Sequence, residues 1–303
     1  MKTILSYLIF PGFLFSACVG LIAGWLDRKI SARLQWRVGP PWHQNFTDIL
    51  KLLGKEVIAP AQSRATFLFA PYLGLIAAVL AASILGRSII APLARADFDL
   101  IVALYLLTIP AVSLIIGASA SGNPLASVGA SREMKLILGY ELPFILAITV
   151  AVIKAKGAIQ LGQITAYQSL FGSNIFSISG ALAFASAIFC IQAKLGLGPF
   201  EVSEAEQEIM GGTLIEYSGL PLAAFKLTKA VMLYAVPLFT IVLFLGADLS
   251  PLFICAKYLM LILIAVLIKN TNPRLRIDQA LRFLWRIPLA LSSAAVIAAL
   301  LGR

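Results

Sequence analysis

The sequence is poor in charged residues. Only 13% of its 303 residues are charged, whereas 60% are hydrophobic and the mean hydropathy is +0.94. Water-soluble domains carry about 25% charged residues and are about half apolar. A soluble fold of this length could not bury so much apolar surface, so the composition excludes a water-soluble protein. It predicts an integral membrane protein for which lipid is the solvent.

Residues that commonly bind metals are also scarce. His43 is the only histidine, and Cys18, Cys190 and Cys255 lie far apart within apolar runs, with no CxxC pair. This pattern predicts no metal ion or iron–sulfur cluster on the chain. No nucleophile arrangement or phosphate-binding loop is visible either, which argues against an enzyme that acts by itself.

Long runs without charge predict the transmembrane helices. A helix needs about 20 residues to cross the hydrocarbon layer of a bilayer. We therefore predict an all-α integral membrane protein, a single polytopic domain over residues 1–303 with about eight transmembrane helices. The predicted spans cover residues 3–26, 65–86, 100–117, 136–153, 174–193, 222–247, 249–268 and 287–302.

The distribution of basic residues predicts the orientation. The loops after the first and seventh spans hold seven and five lysines and arginines, and the loops after the third and fifth spans add three. The opposite side holds six. The positive-inside rule places the richer loops in the cytoplasm, with both termini outside and long cytoplasmic loops after helices 1, 5 and 7. The net charge of +10 thus fits anionic lipid in a prokaryotic plasma membrane and does not indicate nucleic acid.

Two cytoplasmic loops are longer than simple connections require. The first loop covers residues 27–64. Within it, apolar residues stand beside lysines in a pattern that predicts an amphipathic helix at the membrane interface; the residues are Ile49, Leu52 and Leu53 with Lys51 and Lys55. A plain membrane-surface anchor is the alternative function for that helix. The second loop contains five of the fourteen acidic residues: Glu201, Glu204, Glu206, Glu208 and Glu216.

The acidic loop is a candidate proton relay. If residues 202–210 are helical, Glu201, Glu204 and Glu208 share one helix face. Crowded carboxylates raise one another's proton affinity, which suits them to proton transfer. The alternative is an ordinary solvated acidic face.

Charged residues inside the predicted spans are candidate ion-pathway residues. Glu141 lies about five residues into the fourth span, where a carboxylate is costly unless it is protonated, paired or hydrated. Pro143 loosens the adjacent helix ladder. The pathway would also include Arg132 and Glu133 at the inner mouth of the fourth span, and Lys226, Lys229 and Lys257. We expect Lys257, near the middle of the seventh span, to pair with a carboxylate, whereas Lys226 could instead reach the interface along its own stem.

Four stretches carry a resemblance to a known family. They are DRKISARLQWRVGP with the following DILKLLGKE, GASREMKLILGYELP, PFEVSEAEQEIMGGTLIEYSG, and NPRLRIDQALRFLW. The sequence resembles the membrane-anchor subunit of respiratory complex I, the H-type subunit (subunit 1 in mitochondria), and its relatives in energy-converting membrane-bound hydrogenases. The resemblance covers nearly the whole chain.

The resemblance implies a joint between a peripheral iron–sulfur arm and antiporter-like membrane subunits. The cytoplasmic loops would dock the arm, and the buried carboxylates would begin the ion path. Expected partners are an iron–sulfur small subunit and a NiFe-type large subunit, which would hold 4Fe-4S clusters and the NiFe centre, with no cofactor on this chain. The implied docking residues are Asp27, Arg28, Arg33, Arg37, Lys51, Lys55, Glu56, Arg274 and Arg276.

One departure indicates which branch of the family is involved. Quinone-reducing members usually carry an Ala-Glu-Thr-Asn-Arg-like sequence before the PF of the acidic loop, and a glutamate where this chain has Asp27. Here the matching residues are IQAKLGLGPF, with Lys194 and no acid. The segments EAEQEIMGG and GASRE also look more like the hydrogenase branch, so an energy-converting NiFe hydrogenase is expected. The alternatives are a quinone-reducing complex, a ferredoxin-linked sulfur-reducing complex and, with less support because no inverted repeat is found, a stand-alone secondary transporter.

Overall fold

A computed structural model describes residues 7–60, 63–90 and 99–302. Within these ranges the regular structure is helical, and the only paired extended backbone is an isolated bridge between Asp99 and Gln160. The helices are α1 Phe13–Leu34, α2 Gln44–Leu53, α3 Arg64–Ile90, α4 Leu100–Ala120, α5 Pro124–Lys154, α6 Leu161–Phe171, α7 Ile178–Lys194, α8 Glu206–Ile209, α9 Gly219–Phe244, α10 Pro251–Thr271 and α11 Ile277–Leu300.

Six of these helices are long and apolar enough to cross a membrane: α3, α4, α5, α9, α10 and α11. Helix α7 is a shorter apolar helix of 17 residues. Helix α1 has 22 residues, but its second half carries charge, including Asp27 and Arg28. These eight helices lie along the eight predicted spans, and the predicted all-α membrane fold is confirmed. The first predicted span, residues 3–26, was placed too early, because α1 runs from Phe13 to Leu34 and continues through the charged residues that follow Leu26. Residues 3–6 of the first predicted span lie outside the described residues.

Two helices begin well before the spans predicted from charge. Helix α5 starts at Pro124, with the side chain of Asn123 accepting a hydrogen bond from the backbone N–H of Leu125. Helix α11 starts at Ile277, where the Gln279 side chain accepts from the backbone N–H of Arg276. The predicted boundaries were wrong because charge limits an apolar run but does not end a helix.

The two long loops differ in how well the sequence predicted them. The amphipathic helix in the first loop is confirmed as α2, with Ile49 and Leu52 buried and Lys51 exposed. In the acidic loop the helix over residues 202–210 that would place the glutamates on one face does not form. Only Glu206–Ile209 is helical, and the helix stops at Met210, whose φ of 52° is left-handed. The glutamates of this loop therefore do not share a helix face.

Helix α9 is the central helix of the bundle. Of the candidate spans it is the most buried, and it packs against α1, α2 and α3. Gly20 of α1 makes the closest approach, since a Cβ there would lie 2.0 Å from the carbonyl oxygen of Ala230 in α9. A second layer forms where α11 packs on α5 and α7. The outer faces of α10 and α11 remain exposed and apolar, as expected of surfaces in contact with lipid or another membrane subunit.

Contacts between the loops define two ends of the bundle. At one end Lys269 binds Asp27 at 2.7 Å and Asn270 donates to Ser31, so the C-terminus of α10 lies beside that of α1. This end carries the turns at residues 35–43, 121–123, 195–205 and 272–276. We call it the basic end, because these turns belong to the loops in which the sequence concentrates lysine and arginine. At the opposite end, Gln168 of α6 donates to the carbonyl oxygens of Val242 and Leu243 at the end of α9.

Candidate functional site

A cavity of about 510 Å³ opens at the basic end, between α1, α2, α9 and the acidic loop. Its wall combines apolar residues, such as Leu114 and Phe225, with an unusual density of charge. Eleven of its thirty lining residues are charged: Asp27, Arg28, Asp48, Glu133, Lys194, Glu201, Glu204, Glu206, Lys226, Lys229 and Lys269. Most of the residues that the sequence predicted for the ion pathway therefore lie around one space.

Three glutamates of the acidic loop bind three different parts of the bundle. The pairs are Glu201 with Arg274 at 2.9 Å, Glu204 with Lys229 at 2.8 Å, and Glu208 with Arg132 at 2.5 Å. Charge-assisted hydrogen bonds of this length are among the stronger polar contacts in proteins. The acidic loop is thus fastened to α5, to α9 and to the turn before α11, which gives it a fixed position over the cavity.

The end of the acidic loop is anchored by Tyr217. Its ring stacks on Phe67 of α3 with centroids 4.1 Å apart, and its hydroxyl donates to the Phe67 carbonyl oxygen at 3.1 Å. Burial raises the pKa of Tyr217, so the phenol remains a neutral donor. Glu216, which was predicted for the pathway, accepts a hydrogen bond from Asn123 at 2.6 Å and is not among the residues lining the cavity.

Glu133 is a buried carboxylate on the cavity wall. It is 6% exposed, and the side chain of Ser203 lies beside it. Glu204 and Lys229 lie close enough to act on it electrostatically, but no cation of the described residues lies within ion-pair distance of its carboxylate. Burial without a dedicated counter-charge favours the protonated form of a carboxyl group. Glu133 is therefore suited to gain and lose a proton.

Two turns further along α5, Glu141 binds a lysine that the sequence analysis did not include in the site. Lys194 is the last residue of α7, and its Nζ lies 3.1 Å from Oε2 of Glu141. Its side chain is only 1% exposed, compared with 20% for Glu141. Oε1 of Glu141 accepts a second hydrogen bond from Thr108 of α4 at 3.2 Å. A carboxylate inside the bundle is thus paired, as its cost in lipid requires.

Aromatic rings complete the surroundings of Lys194. Its ammonium lies 5.2 Å from the ring centroid of Tyr140 and 5.3 Å from that of Phe144, both within the range of cation–π attraction. The sequence placed Lys194 among the loop lysines because it follows an uncharged run. The signal that could have identified Lys194 as a site residue was its position in the segment IQAKLGLGPF, where this chain departs from the sequence usual in quinone-reducing members of the family.

The remaining predicted lysines are placed differently. Lys257 lies in the second turn of α10 and donates to the backbone carbonyls of Leu245 and Asp248, at 2.7 and 2.5 Å. The expected carboxylate partner was wrong, because α10 begins at Pro251 and Lys257 reaches the preceding turn. Lys226 lines the cavity mouth and is exposed, in agreement with the interfacial alternative.

The predicted docking residues divide into two groups. Asp27 and Arg28 belong to the cavity wall, where Asp27 binds Lys269 and Arg28 lies 3.6 Å from Asp48. The others are exposed at the basic end, and Arg274 among them also binds Glu201: Arg33, Arg37, Lys51, Lys55, Glu56, Arg274 and Arg276.

Large apolar side chains are exposed among these charges. Trp36 is 98% exposed with a left-handed φ of 59°, and Val38, Trp42 and Ile58 are 75%, 65% and 71% exposed. Exposed apolar groups rimmed by charge mark interaction surfaces. We call this region, residues 33–42 with residues 51–58, the exposed loop surface.

An all-α bundle with a charged cavity and an apolar, basic surface at the same end defines a membrane subunit that joins other subunits. The family model described as NADH dehydrogenase matches residues 6–300. The chain belongs to this family, which makes it a membrane subunit of an oxidoreductase complex and a multi-pass protein of the plasma membrane.

Individual relatives match over nearly the whole chain. The H-type subunit of NADH-quinone oxidoreductase from Thermomicrobium roseum is 34% identical over 324 residues, which cover 96% of this chain and 94% of the relative. The corresponding subunit from Anoxybacillus flavithermus is 30% identical over 292 residues, covering 90% and 86%. Among solved structures, a chain of the membrane-bound sulfane sulfur reductase, an archaeal respiratory membrane complex, superimposes with a TM-score of 0.90 at 30% identity, covering 99% of this chain and all of the other.

Proposed function

We propose that the chain is the membrane-anchor and coupling subunit of an ion-translocating oxidoreductase, and that the complex is an energy-converting NiFe hydrogenase. The exposed loop surface docks the iron–sulfur arm, whose subunits carry the 4Fe-4S clusters and the NiFe centre. The charged cavity begins the ion path, and antiporter-like membrane subunits continue it. This chain supplies charge and shape, and the partners supply the redox chemistry.

The observation that carries the proposal is the buried pair of Glu141 and Lys194. Lys194 occupies the segment in which quinone-reducing relatives usually have an acid and an arginine, and it brings a fixed ammonium to the cavity wall. With eleven charged residues among thirty, the cavity is a poor match for the apolar tail of a quinone. It is a better match for water and for proton transfer between charged groups.

The coupling mechanism that follows is electrostatic. A change of charge on the docked arm acts on the carboxylates and ammonium groups around the cavity, several of which are directly paired, such as Glu204 with Lys229 at 2.8 Å. The effect passes from Glu204 and Lys229 to Glu133 and on toward Glu141 and Lys194. Each pKa unit of such a shift corresponds to about 1.4 kcal/mol of interaction free energy. Shifts of one or two units are sufficient to move a proton between neighbouring groups.

A sulfur-reducing complex is the second candidate. The match with the sulfane sulfur reductase chain extends over the whole of both chains with a TM-score of 0.90, which favours a closely similar assembly. Such a complex would keep the docking surface and the ion path and change only the acceptor at the arm.

The test is to tag the chain, solubilise native membranes in mild detergent and identify the co-purifying subunits by mass spectrometry. A large partner with two CxxC pairs, together with hydrogen evolution, is the expected result. Reduction of sulfur compounds without hydrogen evolution would favour the second candidate. A large partner without those cysteines, together with quinone reduction, would assign the chain to a quinone-linked complex. Purification of the chain alone would contradict the coupling role.

A further inference from the structure

Lys194 lies at the boundary between the cavity and the buried carboxylate. It lines the cavity, together with Glu133, whereas Glu141 does not. Its ammonium nevertheless binds Glu141 at 3.1 Å. Among the described residues that line the cavity, no other is ion-paired to Glu141. A proton that travels from the cavity to Glu141 therefore meets Lys194 at this boundary.

The surroundings of Lys194 suit it to release a proton as well as to hold one. A 1% exposed ammonium is stabilised only while an opposite charge stays beside it. The rings of Tyr140 and Phe144 lie 5.2 and 5.3 Å from the ammonium and add an attraction that acts on the charged form alone. When a proton passes from Nζ to Oε2, both charges disappear together, so the transfer leaves no unpaired charge in the interior.

We propose that Lys194 is the proton-transfer residue between the cavity and Glu141, an inference that rests on the proposed coupling function. In the transfer, the N–H bond of the ammonium breaks and an O–H bond forms on Oε2, giving a neutral amine beside a neutral carboxylic acid. The amine then takes a proton from the cavity, to whose wall α5 contributes the carboxyl group of Glu133. The Glu141 proton leaves toward the membrane interior, and the ion pair is restored.

The decisive variant is Lys194→Arg in the intact complex. Arginine keeps the positive charge and can pair with Glu141, but it does not release its proton in proteins. If Lys194 only holds Glu141 in place, arginine should rescue the complex fully. If Lys194 transfers the proton, K194R should assemble and still transfer electrons, while the number of ions moved per electron falls at least about tenfold.

A matched control is available on α5. Lys135 is exposed and has no place in the cavity, so Lys135→Arg should leave the ion-to-electron ratio unchanged. Ion movement is measured in liposomes that contain the purified complex, with electron transfer assayed in parallel after addition of a protonophore. A wild-type ratio in K194R would overturn the inference and leave the proposed function intact. Absence of ion movement in the wild-type complex itself would instead contradict the proposed function.

A larger side chain at a buried position can prevent assembly. In that case Lys194→Gln, which fits the space and carries no proton, replaces the arginine variant. An assembled K194Q complex that transfers electrons without moving ions would support the inference, and one with the wild-type ratio would overturn it. Failure of both variants to assemble would assign Lys194 a structural role and would also overturn the inference.

Discussion

At the scale of single residues, the carboxylates of the site differ in whether they have a counter-charge. Glu201, Glu204, Glu208 and Glu141 each bind a cation at 3.1 Å or less, whereas Glu133 is buried beside Ser203 and forms no ion pair with a described residue. Burial without a cation within ion-pair distance favours the neutral form of a carboxyl group. Among these five glutamates, Glu133 is therefore the one best suited to change its protonation state during turnover.

We expect Glu133→Gln to leave the complex assembled and to lower coupled turnover at least about tenfold. Glutamine keeps the shape of the side chain, but it cannot take up and release the proton that a carboxyl group can. The measurement is the electron-transfer rate of the complex in liposomes with and without a protonophore. Asp248→Asn, a change of the same kind at the opposite end of the bundle, should have no effect. Normal coupled turnover in E133Q would remove Glu133 from the path.

The sequence predicted the carboxylates of this site better than it predicted their partners. Glu141 stands out because an acid within an apolar run has a high cost in lipid. Lys194 does not, because it ends an apolar run and a lysine there is ordinarily solvated. The two residues are 53 positions apart on different helices. Their contact depends on how α5 and α7 pack, which no local pattern contains.

At the scale of helices, α1 and α9 pack so closely that one position admits only glycine. A Cβ on Gly20 would meet the backbone of Ala230, an atom that cannot rotate away as a flexible side chain can. Because α9 also carries Lys229 to the cavity, this contact helps to set the width of the site.

Gly20→Ala should therefore destabilise the protein, by about 1–3 kcal/mol if the helices separate without unfolding. We expect a lower melting temperature in detergent and less protein in the monodisperse peak of a size-exclusion run. Gly54→Ala is the control, since its nearest neighbour would be the Lys51 carbonyl oxygen at 3.9 Å. Equal melting temperatures for the two variants would show that α1 can shift at little cost.

The helices that the sequence predicted well are those whose ends coincide with a change in polarity. Helix α2 was predicted from apolar residues that stand beside lysines in the first loop. The early starts of α5 and α11 were missed, because charged residues in the N-terminal part of each helix, such as Glu133 in α5 and Asp278 in α11, interrupt the apolar run. A helix over residues 202–210 was the condition for the glutamates of the acidic loop to share one face, and it does not form; three of these glutamates bind cations on three separate elements instead.

At the scale of the whole molecule, the contacts at the two ends of the bundle indicate that successive membrane-crossing helices run in opposite directions. The basic end carries the long loops, and from the positive-inside rule we expect that end to face the cytoplasm. The all-α membrane fold followed from composition and apolar run length alone. The cavity did not, because it arises from helices that lie far apart in the chain.

Cysteine labelling tests this orientation. In a background with Cys18, Cys190 and Cys255 replaced by serine, we expect Asn272→Cys to react with a membrane-impermeant maleimide only in inside-out vesicles. Ser169→Cys, on α6 at the opposite end, should react only in intact cells or spheroplasts. Both positions are exposed, so access to the reagent depends on the side of the membrane alone. The reverse pattern would invert the orientation and place the cavity outside the cell.

Trp36 gives the exposed loop surface an optical signal of its own. An indole in water emits at longer wavelength than one in an apolar contact, and Trp36 is 98% exposed in the isolated chain. The sequence contains only four tryptophans, so replacing the other three by phenylalanine would isolate its emission. A shift of that emission to shorter wavelength on addition of the peripheral arm would report docking in real time. The indole of Trp36, which is exposed to water while the chain is alone, would then serve as an intrinsic fluorescent probe of assembly.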